Sequence, residues 1–335
     1  MFILFIGGTE LSKVKGLSAA GANPEIVPFT SPADADLIRF GRPRVTEHFP
    51  LDPEGHPTPA IITRAAAVEA GFSCCIVRAG SYIPPYPSYV ELGAGFGQNP
   101  CLRPAVPDAA EIFESSRSFA RAMCADQGSV TLAESVPGGT TTALLVLRAM
   151  GYRGMVSSAG PENPTSLKER IWREASAKAG VKEGDLAGRP LDAVCALGDP
   201  MQAAILGFVA GLPEKTEVVL AGGTQMLAVA ALMAESGSAR RPLIATTRYV
   251  GEDGTSSFHE LAERLKVPTY FAQLNFADSP HKGLSDYELG YVKEGAGAGG
   301  AVHYAERRGV PVERVVERVN AIYSAVLDGG DGQDQ

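Results

Sequence analysis

Residues 129–142 read Ser129-Val130-Thr131-Leu132-Ala133-Glu134-Ser135-Val136-Pro137-Gly138-Gly139-Thr140-Thr141-Thr142. The first five residues suit a short buried strand, and a helical pattern begins at Thr140 and runs to Met150. Strand therefore becomes helix across one glycine pair. A helix N-terminus at the carboxyl end of a strand offers free N–H groups and a partial positive charge. Gly138 and Gly139 let the backbone approach an anion, and the three threonines add hydroxyl donors. No lysine follows the glycines, so this is not a Walker A loop. A tight turn with a threonine N-cap is the alternative reading.

The same alternation extends in both directions. Strands are expected at 2–6, ending in Gly7-Gly8, and at 73–78, 216–221, 242–247 and 267–273. Helices are expected at 59–70, 140–150, from Gly223 to about 234, 299–308 and 312–327. Another, at 108–125, starts with Asp108 and Glu111 in capping-box spacing and carries Ile112, Phe119 and Met123 on one face. Leu167, Ile171, Trp172, Ala175 and Ala179 form one further helical stripe. Strand, glycine turn and helix in repetition predict an α/β fold, a parallel Rossmann-like sheet flanked by helices. Residues 80–107 are rich in Pro and Gly and have little periodicity, and a loop that long is uncommon unless it is functional or disordered. The tail 328–335 is expected to be disordered.

Composition narrows the function. The 335 residues include 30 Lys and Arg against 38 Asp and Glu, a formal net charge of −8, which disfavours binding to nucleic acid or an anionic membrane. An apolar content of 45% is enough for a sizeable core. The N-terminal run lacks the basic flank and the length of a signal segment, and no stretch reaches the ~18 apolar residues of a spanning helix. The five cysteines form no C-x-x-C pair, and His48, His56, His259, His281 and His303 show no ligand spacing. The expectation is a cytoplasmic protein without a metal site.

Two more glycine turns invite a ligand. Gly222-Gly223-Thr224-Gln225 lies between strand and helix, but the residues before it, Val218-Val219-Leu220-Ala221, lack the acidic pair of an ordinary phosphoribosyltransferase loop. Close strand-to-helix packing is the alternative there. Lys293-Glu294-Gly295-Ala296-Gly297-Ala298 precedes a helix, and Glu294 at the edge of a backbone-lined pocket suits a general base, with a solvated Glu as the alternative. Lys168 falls near the first turn of the helix after Pro161-Glu162-Asn163-Pro164, where a cation opposes the helix dipole unless an anion sits nearby. A solvated surface lysine is the other reading.

Taken together, these segments resemble the nicotinate-nucleotide:dimethylbenzimidazole phosphoribosyltransferases, most closely their archaeal-type branch. The matching blocks run from Ser18-Ala19-Ala20-Gly21-Ala22-Asn23-Pro24 and His56-Pro57-Thr58-Pro59 through the Glu134–Thr142 loop and Ser157-Ser158. They continue through Pro161–Pro164, Gly198-Asp199-Pro200-Met201-Gln202 and Gly222–Met226 to Lys293–Ala298, nearly the whole chain in the family's order. The bacterial branch carries G-E-x-G-I-G-N-T-T where this chain has Glu134 to Thr142, and G-E-G-T-G-A where it has Lys293 to Ala298.

The resemblance implies roles for these positions. Glu294 stands at the general-base position, with Glu134 facing the acceptor base as a second catalytic carboxylate. The phosphate and nucleotide would be held by Gly138, Gly139, Thr140, Thr141, Lys168, Gly222, Gly223, Thr224, Gly295 and Gly297. The base would meet Ser81, Tyr82 and Gln202, with residues 80–97 as its wall. The implied substrates are nicotinate mononucleotide and a benzimidazole-type base, giving an α-ribotide and nicotinate; the alternatives are a nucleotide- or phosphate-binding regulatory protein on the same scaffold and a transferase acting on another nucleobase such as adenine. Nicotinate departs as a neutral pyridine nitrogen, so no metal and no cofactor are expected. The resemblance further implies a homodimer whose subunit has a small, mostly helical domain drawn from both termini. Residues 1–107 would serve that domain and the base wall, 108–290 the large nucleotide-binding domain, and 291–327 the helices behind the general-base loop.

Overall fold

The computed structural model describes residues 1–18, 25–47 and 49–328. The 19–24 part of the first matching block, His48, and the tail beyond 328 lie outside the described residues. Seven strands are present: β1 (Phe2–Ile6), β2 (Cys74–Arg78), β3 (Tyr89–Glu91), β4 (Ser129–Ser135), β5 (Glu217–Ala221), β6 (Leu243–Thr247) and β7 (Thr269–Ala272). They form one sheet in the order β3-β2-β1-β4-β5-β6-β7, and every pairing is parallel. This is the expected doubly wound α/β architecture.

Strand alternation sorts the core into two layers. Ile3 and Phe5 of β1 join Leu132, Leu220 and Ile244 against the helices Gly139–Ala149, Pro200–Gly211 and Thr224–Glu235. Phe2, Leu4 and Ile6 face the other way, toward Thr30–Phe40, Ala60–Glu69, Ala298–Glu306 and Val312–Leu327. The Phe2–Ile6 run is buried throughout because both faces of β1 are covered. β1 lies between β2 and β4, so segments 1–107 and 108–290 both contribute strands to one sheet. Among the described residues, no helix is long and apolar enough to cross a membrane.

Some local expectations are corrected. Asp108 precedes the Ala109–Met123 helix but makes no side-chain cap, because its backbone (φ −96°, ψ 19°) lacks the extended geometry of a capping residue. Asp199 is extended (φ −138°, ψ 162°) and forms the capping box, with Gln202 answering its side chain across Pro200-Met201. The helices Thr30–Phe40, Pro190–Leu197 and Pro200–Gly211 were not expected from periodicity. Pro200–Gly211 is buried on nearly every side and so carries no one-sided stripe. The Pro- and Gly-rich 80–107 stretch includes the short edge strand β3 and folds back over the end of β1. There Phe96 lies so close to Gly8 that an added methyl would meet its ring at 2.3 Å.

Candidate active site

Between β1 and β4 the strand order reverses, and the carboxyl ends of the strands open there into a cavity. Counted out to its open mouth, the space measures about 1020 Å³. The end of β4 supplies Glu134 through Thr140, and the end of β5 supplies Gly223, Thr224 and Gln225. Lys293 through Ala296 close one side, and Asp34, His56 and Thr58 close another.

Two helices, Gly139–Ala149 and Thr224–Glu235, begin on this cavity; the Gly139, Thr141 and Met226 amides are taken by Val136 O, Gly138 O and Gly223 O, which leaves those of Thr140, Thr224 and Gln225 without a backbone partner in the first turns. Gly138 adopts φ +82° to turn the chain into the first of them. Gly139 lies against Gln225, where an added methyl would meet Oε1 at 1.8 Å. A third helix, Ala298–Glu306, also points its N-terminus here, but Glu294 already occupies it.

Glu294 sits half-buried on the wall. Its Oε2 accepts from the Thr247 amide at 2.9 Å, the Thr246 hydroxyl at 3.1 Å and the Gly299 amide at 3.2 Å. Oε1 accepts from the Gly295 amide at 3.1 Å. Burial pushes its carboxyl up to about 7, against the pull of these donors. Glu134 is 1% exposed, and no side chain hydrogen-bonds to either of its oxygens. Burial drives it well above the carboxylate range, with the charges of Glu294, Asp199 and Asp34 adding in turn and the Val136 amide pulling the other way. The Gly222-Gly223 turn separates the two acids: added methyls there would meet Glu134 Oε1 at 3.2 Å and Glu294 Cβ at 3.9 Å.

Asp34 accepts the hydroxyls of Ser135 at 2.7 Å and Thr58 at 2.8 Å, and burial raises it to about 6. The His56 ring nitrogens lie 2.7 Å from Asp52 Oδ2 and 3.0 Å from Asp286 Oδ2, which ties the 50–59 segment to the 282–295 segment. Lys168 is fully buried behind the wall, donating to Ser157 O and Asn163 Oδ1, both at 2.8 Å. Burial lowers its ammonium to about 7; Asp253 pulls it up and Lys293 pushes it further down. Lys293 reaches Gly160 O at 2.9 Å and Asp253 Oδ2 at 3.1 Å. Among the described residues, no three His, Cys, Asp or Glu side chains group in a metal-ligating arrangement.

Of the residues singled out in the sequence, Glu134, Gly138, Gly139, Thr140, Gly223, Thr224, Glu294 and Gly295 line one cavity. Gly222 and Gly297 stand behind it, Gly297 packed against Ala133. Thr141 and Lys168 are buried beneath the wall. Ser81, Tyr82 and Gln202 do not line the cavity. Ser81 is bound to Arg78 and Ile83 O, Tyr82 packs on Phe29 and Phe96 at the surface, and Gln202 is held in the Asp199 capping box. Asp34, Thr246 and Thr247 were missed. They sit singly on a helix and a strand end, where no local motif marks them.

Fold and site thus define a doubly wound α/β protein with two helix N-termini and a pair of glutamates at its switch point. No model of a known protein family matches the chain. A UPF0284 protein of Pyrococcus furiosus is 44% identical over 329 residues, covering 98% of this chain and 99% of the relative. One from Methanosarcina acetivorans is 40% identical over 333 residues, covering 98% and 95%. The chain belongs to the UPF0284 family. Among solved structures, CobT from Thermus thermophilus superposes with a TM-score of 0.57 at 16% identity, covering 96% of this chain and 83% of that one. A nicotinate-nucleotide-dimethylbenzimidazole phosphoribosyltransferase structure from the same organism gives a TM-score of 0.56, also at 16% identity, covering 96% and 82%. The fold expected from the family resemblance is therefore present.

Proposed function

We propose that this protein transfers phosphoribose from nicotinate mononucleotide to a benzimidazole-type base, giving an α-ribotide and nicotinate. The observation that carries the reading is Glu294: a carboxyl tuned to about 7, fixed by four donor groups, at the edge of a cavity that two helix N-termini also face. A phosphate on the open amides of Thr140, Thr224 and Gln225 would hold the ribose in place.

In this reaction the unprotonated ring nitrogen of the base attacks C1′. The C1′–N bond to nicotinate breaks and its electron pair stays on the pyridine nitrogen. The other ring nitrogen of the base gives its proton to Glu294, a step typically worth about 10²–10⁴-fold. Attack opposite the leaving group turns the β donor into an α product. Lys168 acts from behind, as a positioning residue that ties the cavity-lining Ser157 to Asn163.

The test is incubation of purified protein with nicotinate mononucleotide and dimethylbenzimidazole, benzimidazole, adenine or a phenol, with nicotinate release followed by chromatography. Base-dependent release with a matching α-ribotide is expected. Saturable nucleotide binding without release from any base would replace the transferase reading with that of a nucleotide-binding protein. The homodimer belongs to the same proposal, and sedimentation reads it directly.

A further inference from the structure

The proposed chemistry uses Glu294 and the open amides and leaves another wall of the cavity without a role. Asp34, Thr58 and Ser135 line that wall. They come from the Thr30–Phe40 helix, the approach to the Ala60–Glu69 helix and the last position of β4, and all three are buried. Asp34 Oδ1 accepts the Thr58 hydroxyl at 2.8 Å, and Oδ2 accepts the Ser135 hydroxyl at 2.7 Å. A hydroxyl has one hydrogen to give and two lone pairs. Ser135 therefore keeps both lone pairs, and Thr58 keeps one, since its Oγ1 also accepts the Ala60 amide at 3.3 Å. Burial raises Asp34 to about 6, the two hydroxyls pull it back, and among the described residues no cation contributes. At pH 8 the carboxylate is ionised, and its spare lone pairs add to those of the hydroxyls. These side chains can accept hydrogen bonds from a ligand and have none left to donate.

We infer that Asp34, Ser135 and Thr58 form a sugar subsite that holds the vicinal 2′- and 3′-hydroxyls of the ribose in the nucleotide donor. This rests on the phosphoribosyl-transfer reading. In nicotinate mononucleotide at pH 8 the carboxylate and the phosphate are anions, and the ring nitrogen is bonded to C1′. The two ribose hydroxyls are then its only hydrogen-bond donors. A negatively charged patch of acceptors repels both anions and takes the hydroxyls, in bonds strengthened by the charge of Asp34. The placement along the chain agrees, because Ser135 and the open Thr140 amide stand at the two ends of the turn between β4 and the Gly139–Ala149 helix. One turn would thus meet the sugar at its start and the phosphate at its end. Asp34 also acts through its two neighbours by fixing where their hydrogens point. An Asn in its place would give an N–H to one of them and turn that hydroxyl's hydrogen toward the ligand.

Calorimetry on the full chain at pH 8, with no acceptor base present, reads the subsite. The titrants are nicotinate mononucleotide and its 2′-deoxy and 3′-deoxy analogues. The wild type should bind the ribonucleotide at least about tenfold more tightly than either analogue, because a site built to bond a hydroxyl is left unpaired by a ligand that lacks it. Ser135→Ala and Thr58→Val each remove one acceptor, and each should erase most of that ratio for one analogue. Asp34→Asn should shrink the ratio severalfold. A merely structural role for these residues would weaken all three nucleotides alike and leave the ratios where they were. Equal binding of the three nucleotides by the wild type overturns the inference without recourse to any variant, and so do variants that keep the wild-type ratios. No binding of nicotinate mononucleotide overturns the subsite and the transfer reading together. The expected ratios without nicotinate release from any base would sink the transfer reading alone, and release without the ratios would sink the subsite alone.

Discussion

Replacing Glu294 by Gln tests the proposed base in two ways at once. The folded carboxyl titrates at about 7 instead of 4.5, a rise of about 2.5 units, or about 3 kcal/mol of linkage. Because the folded value is the higher one, this stability is present below pH 4.5 and is lost as pH climbs through 7. Gln does not titrate. The unfolding free energy of Glu294→Gln, relative to wild type, should therefore rise by about 3 kcal/mol between pH 4.5 and 8. Taking the difference cancels Asp34 and Asp199, which titrate near 6 in both proteins. Urea unfolding at four pH values across this window measures it. Nicotinate release should fall by about 10²–10⁴-fold in the variant. In the wild type, kcat/KM should climb with pH to a plateau above about 7, standing near a tenth of the plateau at pH 6. A pH-independent stability difference, or a variant that retains more than about a tenth of the activity, would refute the assignment of Glu294 as a strained base.

Lys168→Met should raise the KM for nicotinate mononucleotide about tenfold with a smaller change in kcat, because the cavity-lining Ser157 loses its anchor to Asn163. Lys168 is lowered to about 7 in the fold, so wild-type stability should grow from pH 7 toward 10 and the Met variant should lack that growth in chemical unfolding. Gly300→Ala would place a methyl 2.1 Å from Ala221 Cβ, and a loss of about 1–3 kcal/mol in urea unfolding is expected. Asp34→Asn leaves one of the Thr58 and Ser135 hydroxyls without its acceptor and should cost about 1–3 kcal/mol. That cost should be greater at pH 5 than at pH 8 in thermal unfolding, since burial raises Asp34 to about 6 and ionising it weakens the wild type.

What could be read from the chain follows from where its information lies. β1 and β5 end in apolar runs that lead straight into glycine pairs, and β4 stands two residues before another, so local pattern finds them. Glu134, near the end of β4, and Glu294 each stand beside a glycine-rich turn that stands out in sequence, and the fold brings these turns together. Asp34 lies in Thr30–Phe40, eight of whose residues are buried in succession, so neither its helix nor its role has a periodic mark. The capping signal at Asp108 and the one at Asp199 look alike on paper. Only the second meets an extended backbone, because Pro200 sets the first helical position after it. Ser81 and Tyr82 show the limit of matching by blocks: the 80–97 segment lies near the end of β1, but its side chains turn to Arg78, Phe29 and Phe96 instead of the cavity.

The loop carrying Glu294 leads directly into the helices that cover Phe2, Leu4 and Ile6. The Val312–Leu327 helix is pinned to Ala60–Glu69 by Arg314 and Arg318 on Glu69. During synthesis the face of β1 is therefore covered only in part, by Thr30–Phe40 and Ala60–Glu69, until Ala298–Glu306 and Val312–Leu327 have emerged as well. Glu294 leaves the ribosome just ahead of those two helices. A chain cut before Glu294 would lose the rest of that cover together with its proposed base, so such damage should be cleared as misfolded chain and not persist as a nucleotide trap.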